Sequence, residues 1–241
     1  MSGHSKWANI KRRKWAQDAK KAAIFTKTGR NITVAAREGG GDPDKNFRLA
    51  LAIDQAKKVN MPKENIDKAI KKGTGELKGD QIVECLYEGM GPVQSQFIVK
   101  SYTDNKNRSA ANIKHIFHKF GGDFASVMWN FSEKGVIRID KEEVGNKGLA
   151  SEEWELSLID QGAEDIKMEE EGLTVYCAIP DLSRIKSFLE DKQVKVETAD
   201  IEYIPHQTQK VEGEDREKAE KFMEALEDCE DVNDYYTNCE F

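Results

Sequence analysis

Gly172-Leu-Thr-Val-Tyr-Cys-Ala-Ile-Pro-Asp-Leu-Ser-Arg-Ile-Lys-Ser-Phe-Leu189 carries two hydrophobic periods in succession. Leu173, Val175, Cys177 and Ile179 alternate with Thr174, Tyr176 and Ala178, the period of two that sets one face of a strand against a core. At Asp181 the period lengthens. Leu182, Ile185 and Leu189 then share one side of a helix that Asp181 is placed to cap, and Val194 to Val196 opens a further strand. Upstream, Val136 to Ile139 reads as a strand, Ser151 caps a helix carrying Trp154, Leu158 and Ile159, and Ile166 and Met168 mark another strand. The order is βαββαβ, the split-βαβ or ferredoxin-like arrangement, which can close as a domain by itself.

On the N-terminal side of this unit the period is again two, with Val83, Cys85 and Tyr87 alternating, as do Phe97, Val99 and Ser101 beyond the turn Glu88-Gly89-Met-Gly91-Pro92. Asp104 is placed to cap a helix with Ile113, Ile116, Phe117 and Phe120 at helical spacing, and Gly121-Gly122 ends it before a strand from Ser126 to Phe131. On the C-terminal side, a helix from Asp215 to Asp228 carries Ala219, Phe222, Met223 and Leu226 in one stripe, followed by a strand near Val232 to Thr237. An αβ tail cannot form a core alone, and the ββαβ unit lacks that pair. The simplest closure therefore inserts residues 134–206 within a discontinuous domain made of residues 80–133 and 207–241.

The first 79 residues read as a basic arm followed by a small helical bundle. Ala22, Phe25, Gly29, Ile32 and Ala36 recur at helical spacing between Asp18 and Glu38, and Gly39-Gly40-Gly41 ends that helix. Gly29 inside it costs about 1 kcal/mol against Ala, so a close helix crossing is the expected compensation. Asp42-Pro43 signals a second helix running to Val59, and Met61-Pro62-Lys63-Glu64 opens a third with Ile66, Ala69 and Ile70 inward and Gly73 as its stop. The expected fold class is α+β: an N-terminal helical bundle followed by two ferredoxin-like α/β domains, one inserted in the other.

Charge is divided as sharply as the periods. Residues 1–80 hold nineteen Lys or Arg and nine Asp or Glu, a net +10, while the remainder holds 18 and 35, a net -17, within a chain of net charge -7. Lys6, Lys11, Arg12, Arg13, Lys14, Lys20, Lys21, Lys27, Arg30 and Arg37 gather at one end with Trp7 and Trp15 among them. Clustered cations with interleaved indoles suit a phosphate backbone with exposed bases, because neutralised phosphates release counterions and an indole can stack. The competing reading is a solvated basic face whose tryptophans pack into a core. Acidic domains attached to such an end would be repelled by the same polyanion, so the split implies orientation as well as attraction.

Other chemistries lack their constellations. The four cysteines, Cys85, Cys177, Cys229 and Cys239, form no Cys-x-x-Cys pair, and His115 and His118 have no nearby Cys, so neither a disulfide framework nor a zinc site is expected. No glycine-rich stretch continues into the Gly-Lys-Ser/Thr of a phosphate-binding loop, and no Gly-x-Ser-x-Gly elbow is present. The reading is a non-enzyme without cofactor, metal or small-molecule substrate. No apolar run approaches the roughly 20 residues of a membrane helix, and a cytoplasmic location without membrane contact is the expectation. Two loops keep functional interest. Glu88 to Pro92 is a tight glycine-rich turn able to bring amides near a partner, against the plainer reading of a β-turn. Thr103-Asp104-Asn105-Lys106-Asn107-Arg108 sets amides and two cations at a helix start, an anion site or simply a cap.

These motifs together resemble the YebC family, which includes the mitochondrial translational activator of cytochrome oxidase. The resemblance lies in Gly3-His-Ser-Lys-Trp-Ala-Asn-Ile-Lys11, Ile32-Thr-Val-Ala-Ala-Arg-Glu-Gly-Gly-Gly-Asp-Pro43, Asn60-Met-Pro-Lys-Glu-Asn-Ile66, Gly73-Thr-Gly-Glu76, Tyr87-Glu-Gly89, Gly91-Pro92, Thr103 to Arg108 and Ala225-Leu-Glu-Asp228. It implies three domains, the first helical and the others α/β, and a non-enzymatic role in gene expression. Members are described as DNA-binding transcriptional regulators or as translation factors acting on ribosomes stalled at proline-rich stretches. The resemblance favours a ribosome-associated RNA binder, with DNA as the alternative, and makes the arm or the Glu88 to Pro92 loop the part that reaches the peptidyl-transfer region. The chain departs from the family in having Val93-Gln94 where two further glycines are common, a shorter loop between Gly122 and Ser126, and Trp15 at a usually small position.

Overall fold

The computed structural model describes Trp7 and residues 21–79 and 81–241. Three helices come first: α1 (Lys21–Gly39), α2 (Phe47–Lys58) and α3 (Lys63–Gly73). There follow β1 (Val83–Met90), β2 (Gln96–Thr103), α4 (Lys106–Lys119), β3 (Asp123–Phe124), β4 (Phe131–Asp140), α5 (Lys141–Lys147), α6 (Glu152–Asp160), β5 (Ala163–Met168) and β6 (Gly172–Cys177). The chain ends with α7 (Leu182–Asp191), β7 (Thr198–Pro205), β8 (Gln209–Lys210), α8 (Gly213–Asp228), β9 (Asp234–Thr237) and β10 (Cys239–Glu240). Helices with two four-stranded antiparallel sheets make the fold α+β.

The helical part packs around Ile32, Ala35, Leu49, Ala56 and Ile66. Close approach does occur on α1, but not at Gly29, where an added Cβ would meet nothing within 4 Å. It occurs at Gly73 of α3, whose Cβ would lie 2.4 Å from the Thr33 carbonyl oxygen, so only glycine fits there. Helix α2 also starts later than Asp42-Pro43 suggests. Those residues form a turn in which Asp42 accepts from the Asp44 amide, and Asn46 is the true cap, accepting from Leu49 N at 3.1 Å.

The second sheet runs in the order β5-β6-β4-β7 within a continuous stretch of chain. This is the split-βαβ order, with Ile137, Ile139, Leu173, Val175 and Cys177 facing Leu158, Leu182, Ile185 and Leu189 of the helices. Its last strand begins at Thr198 rather than Val194; Val194 lies in the loop that precedes the strand and is buried in the core of this unit. Ile159 and Met168, at positions expected to point inward, are half exposed at 50% and 52%.

The first sheet has the order β3-β1-β2-β9. Since β1 and β2 form a hairpin instead of flanking a helix, this order differs from the split-βαβ one. Its core is aromatic: Phe222 of α8 meets Phe97 and Phe117 edge-on at 4.8 and 5.0 Å. The stretch from Ser126 to Phe131 is not the expected strand. Glu88 Oε2 accepts from the amides of Val127 and Met128, which fixes a 3-10 turn over Met128–Asn130 before β4 starts. Asn130 then ties the two crossings between the sheets, donating to Gln96 Oε1 at 2.6 Å and to the Gln207 carbonyl at 2.9 Å.

Candidate nucleic-acid interface

Helix α1 carries the part of the basic stretch that the structure describes, and its cations divide. Lys27 Nζ donates to the Glu227 carbonyl at 2.7 Å and Arg30 Nη1 to the Glu230 carbonyl at 2.8 Å. Glu227 lies in the last turn of α8, where unpaired carbonyls and the helix dipole favour a cation. Both side chains therefore fasten α1 to the first-sheet unit. Arg37 is half-buried near the α3 crossing, and Lys21 is described only by its backbone. Lys6, Lys11, Arg12, Arg13, Lys14, Trp15 and Lys20 lie outside the described residues.

Exposed cations occur where the sequence drew no attention. Lys63, Lys68, Lys71 and Lys72 all stand on the solvent side of α3, opposite Ile66 and Ala69, with Glu64 and Asp67 among them. The pattern is legible as the polar half of an amphipathic helix.

Trp7 takes the packing alternative instead of the stacking one. Its indole is 1% exposed, and Nε1 donates to Glu169 Oε2 at 2.7 Å. A base has no access to that ring in this arrangement. Neither its partner nor the distance along the chain has any signature in the sequence.

The helix start at Thr103 to Arg108 is already filled. Asn105, not Asp104, caps α4 by accepting from Arg108 N at 3.1 Å, which leaves Asp104 to pair with Arg108 at 2.8 Å. The anion is internal: Asp231 accepts from the Ser109 hydroxyl at 2.9 Å, from Asn112 Nδ2 at 2.7 Å and from Arg108 Nη2 at 3.3 Å. Burial would raise this carboxyl, but hydrogen bonds from Asn112, Ser109 and Arg108 outweigh it and hold the pKa below the ordinary 3.8. A cleft of about 550 Å³ opens beside it, lined by Arg30 and Arg108 but also by Asp104, Glu230 and Asp231. Two cations against three carboxylates do not make a phosphate site. Asp231 is the residue the sequence reading missed, being one acid in the run Asp228-Cys-Glu-Asp231.

The Glu88 to Pro92 segment is likewise internal. Glu88 and Gly89 belong to β1, and the connection to β2 is Gly91 to Ser95. A Cβ on Gly89 would stand 2.4 Å from the Phe117 ring, and one on Gly91 2.8 Å from Phe97. These glycines admit aromatic rings, not a ligand. Pro92 is buried, and Lys106 and Asn107 are exposed on the first turn of α4. Among the described residues no group of three His, Cys, Asp or Glu could hold a metal ion, and no helix is long and apolar enough to cross a membrane.

Residues 5–76 match the model of the TACO1/YebC protein N-terminal domain, and residues 82–239 match that of the TACO1/YebC second and third domain. The chain belongs to the TACO1/YebC family. A Thermotoga maritima protein named "Probable transcriptional regulatory protein" is 51% identical over 243 residues, covering 100% of this chain and 94% of the relative. A Natranaerobius thermophilus protein of the same name is 45% identical over 241 residues, covering 99% of this chain and 96% of its own length. A crystal structure of a conserved hypothetical protein from Aquifex aeolicus superposes with a TM-score of 0.81 at 40% identity, over 93% of this chain and 92% of that one. Within the TACO1/YebC frame, Lys27 and Arg30 hold units together, while the lysines of α3 remain turned to solvent.

Proposed function

We propose that this protein is a non-enzymatic regulator of gene expression that binds nucleic acid, with ribosomal RNA as its principal target and a role in translation through stalling, proline-rich sequences. The observation that carries the nucleic-acid part is the separation of charge, +10 over residues 1–80 against -17 over the remainder. It attracts a polyanion to one end and repels it from the rest. Residues 1–79 form the binding unit, with residues 80–133 and 207–241 as a second unit and residues 134–206 inserted as a third. Lys6, Lys11, Arg12, Arg13 and Lys14 contact phosphate, supported by the solvent face of α3. The preference for RNA draws on the mitochondrial translational activator in the family.

One observation favours duplex DNA as the second reading. Helices α2 and α3 are joined by only four residues, Val59 to Pro62, and the exposed face of α3 bears Lys63, Asn65 and Lys68, as a groove-reading helix would. Glu64 and Asp67 on that same face would meet phosphates, which weighs against it. The names of the bacterial relatives agree with this second reading.

The deciding experiment compares binding to isolated large ribosomal subunits and to duplex DNA across a salt titration, with a variant carrying alanine at Lys11, Arg12, Arg13 and Lys14. Removing four phosphate contacts should flatten the salt slope by about three to four units for either ligand, so affinity near physiological salt decides. Arm-dependent binding to subunits alone supports the ribosomal role. Tight, sequence-selective binding to duplex DNA alone would replace it.

A further inference from the structure

Trp7 belongs to the basic stretch by sequence and to the acidic part of the molecule by position. Glu169, its partner, opens the turn Glu169-Glu170-Glu171 between β5 and β6. Glu169 Oε2 accepts from the Trp7 indole at 2.7 Å and from the Thr174 hydroxyl at 2.9 Å, whereas the buried Oε1 has no hydrogen-bond partner. One oxygen is thus doubly satisfied and the other not at all. Such a half-satisfied carboxylate binds the indole without the stability of a complete buried network.

Connectivity then sets up a conflict. Lys6 adjoins Trp7, and Lys11 follows within about 14 Å of chain. A phosphate backbone gripping these cations with Trp7 still seated would be drawn toward three carboxylates of its own sign, a repulsion that physiological salt screens over about 8 Å. With Trp7 released, the same cations meet the polyanion free of that repulsion.

We infer that the Glu169 turn is an intramolecular seat for the basic arm, with Trp7 as its anchor, and that nucleic acid and the seat compete for the arm. The inference rests on the nucleic-acid reading above. It deepens that reading by naming what opposes binding: the apparent affinity is reduced by the fraction of arm that is seated, so weakening the seat strengthens binding.

The test uses the full chain labelled with 5-fluorotryptophan, in which Trp7→Phe assigns the Trp7 resonance among the four tryptophans. The probe is a mixed-sequence single-stranded RNA of about 20 nucleotides, a few sites of the size such grooves cover. The expected result is that saturating RNA moves the Trp7 resonance to a solvent-accessible position. Glu169→Ala should do the same without RNA and tighten RNA binding about tenfold, the factor corresponding to one hydrogen bond to a charged group. Trp7→Phe keeps an aromatic ring, smaller than the indole, and deletes the donor, and it should tighten binding in the same direction even if Glu169→Ala folds poorly. RNA binding with Trp7 still buried, or unchanged or weaker binding in both variants, overturns the seat while leaving the nucleic-acid reading intact. Absence of binding to RNA and to duplex DNA at low salt sinks that reading and the competition with it.

Discussion

The two sheets have the same number of strands and the same antiparallel pairing, yet each deals with a buried carboxylate differently. In the second sheet Glu202 on β7 meets Arg138 on β4, two bonds at 2.6 and 2.9 Å between side chains only 3% and 2% exposed. In the first, Asp231 sits at the start of α4 among a hydroxyl, an amide and a guanidinium that is 43% exposed. One charge is neutralised by a single buried counter-charge, the other by two neutral donors together with a half-exposed guanidinium. Removing a partner should therefore cost more in the second sheet than in the first.

The largest effect is expected at Arg138. Burial disfavours its guanidinium and Glu202 more than restores it, so the pair is charged inside the protein. Arg138→Ala removes that compensation and should destabilise the protein by about 3–5 kcal/mol in denaturant unfolding. The double substitution Arg138→Met with Glu202→Leu should recover most of the loss. Equal losses in single and double variants would show that shape, not charge, sets the cost.

Asp231→Asn is expected to cost less, about 1–3 kcal/mol, because its donors can turn partly to solvent or to the new amide. Its signature is in the pH dependence. The folded pKa of Asp231 lies below the unfolded value, so its contribution is complete above the ordinary 3.8 and is lost as the pH falls through the lower, folded value. The stability gap between wild type and Asp231→Asn should be flat at neutral pH and close below about pH 4. A gap that persisted unchanged into acid would remove Asp231 from the account.

The two carboxylates also show where reading from sequence stops. Alternation at Leu173, Val175 and Cys177 and helical spacing at Ala219, Phe222 and Leu226 report a local period, and both segments form the expected elements, although β6 is buried on both faces, Thr174 and Tyr176 included. Two caps lie one and four residues beyond the acid that signals them, at Asn105 instead of Asp104 and at Asn46 instead of Asp42, because neighbouring acids and amides offer the same chemistry, whereas Ser151 and Asp181 hold their expected N-cap positions. The cationic cluster was legible as charge. That Lys27 and Arg30 would meet backbone carbonyls of the C-terminal helix region, that Trp7 would meet Glu169, and that Asp231 would fill the α4 start depends on pairings across 119 to 200 residues. No local period encodes such a distance.

The smallest expected effect lies in the hairpin of the first sheet, where the sequence did leave a trace. Val93 and Gln94 follow Pro92 in the connection between β1 and β2, and both have left-handed backbone angles, φ 54° and 60°. A β-branched residue is especially strained there, and left-handed geometry costs non-glycine residues about 1–2 kcal/mol. Val93 is compensated in part: it packs against the aromatic core, and its carbonyl accepts from Gln209 Nε2 at 2.8 Å. Gln94 is exposed and has no such apolar packing. Gln94→Gly should therefore stabilise the protein by about 0.5–1 kcal/mol after the extra freedom of glycine in the unfolded chain is counted. Val93→Gly should leave stability nearly unchanged, because relief of the backbone is offset by loss of a half-buried side chain, about 1 kcal/mol. Thermal unfolding of the two variants side by side reads the difference; stabilisation by Val93→Gly and none by Gln94→Gly would mean that the valine is strained without being anchored.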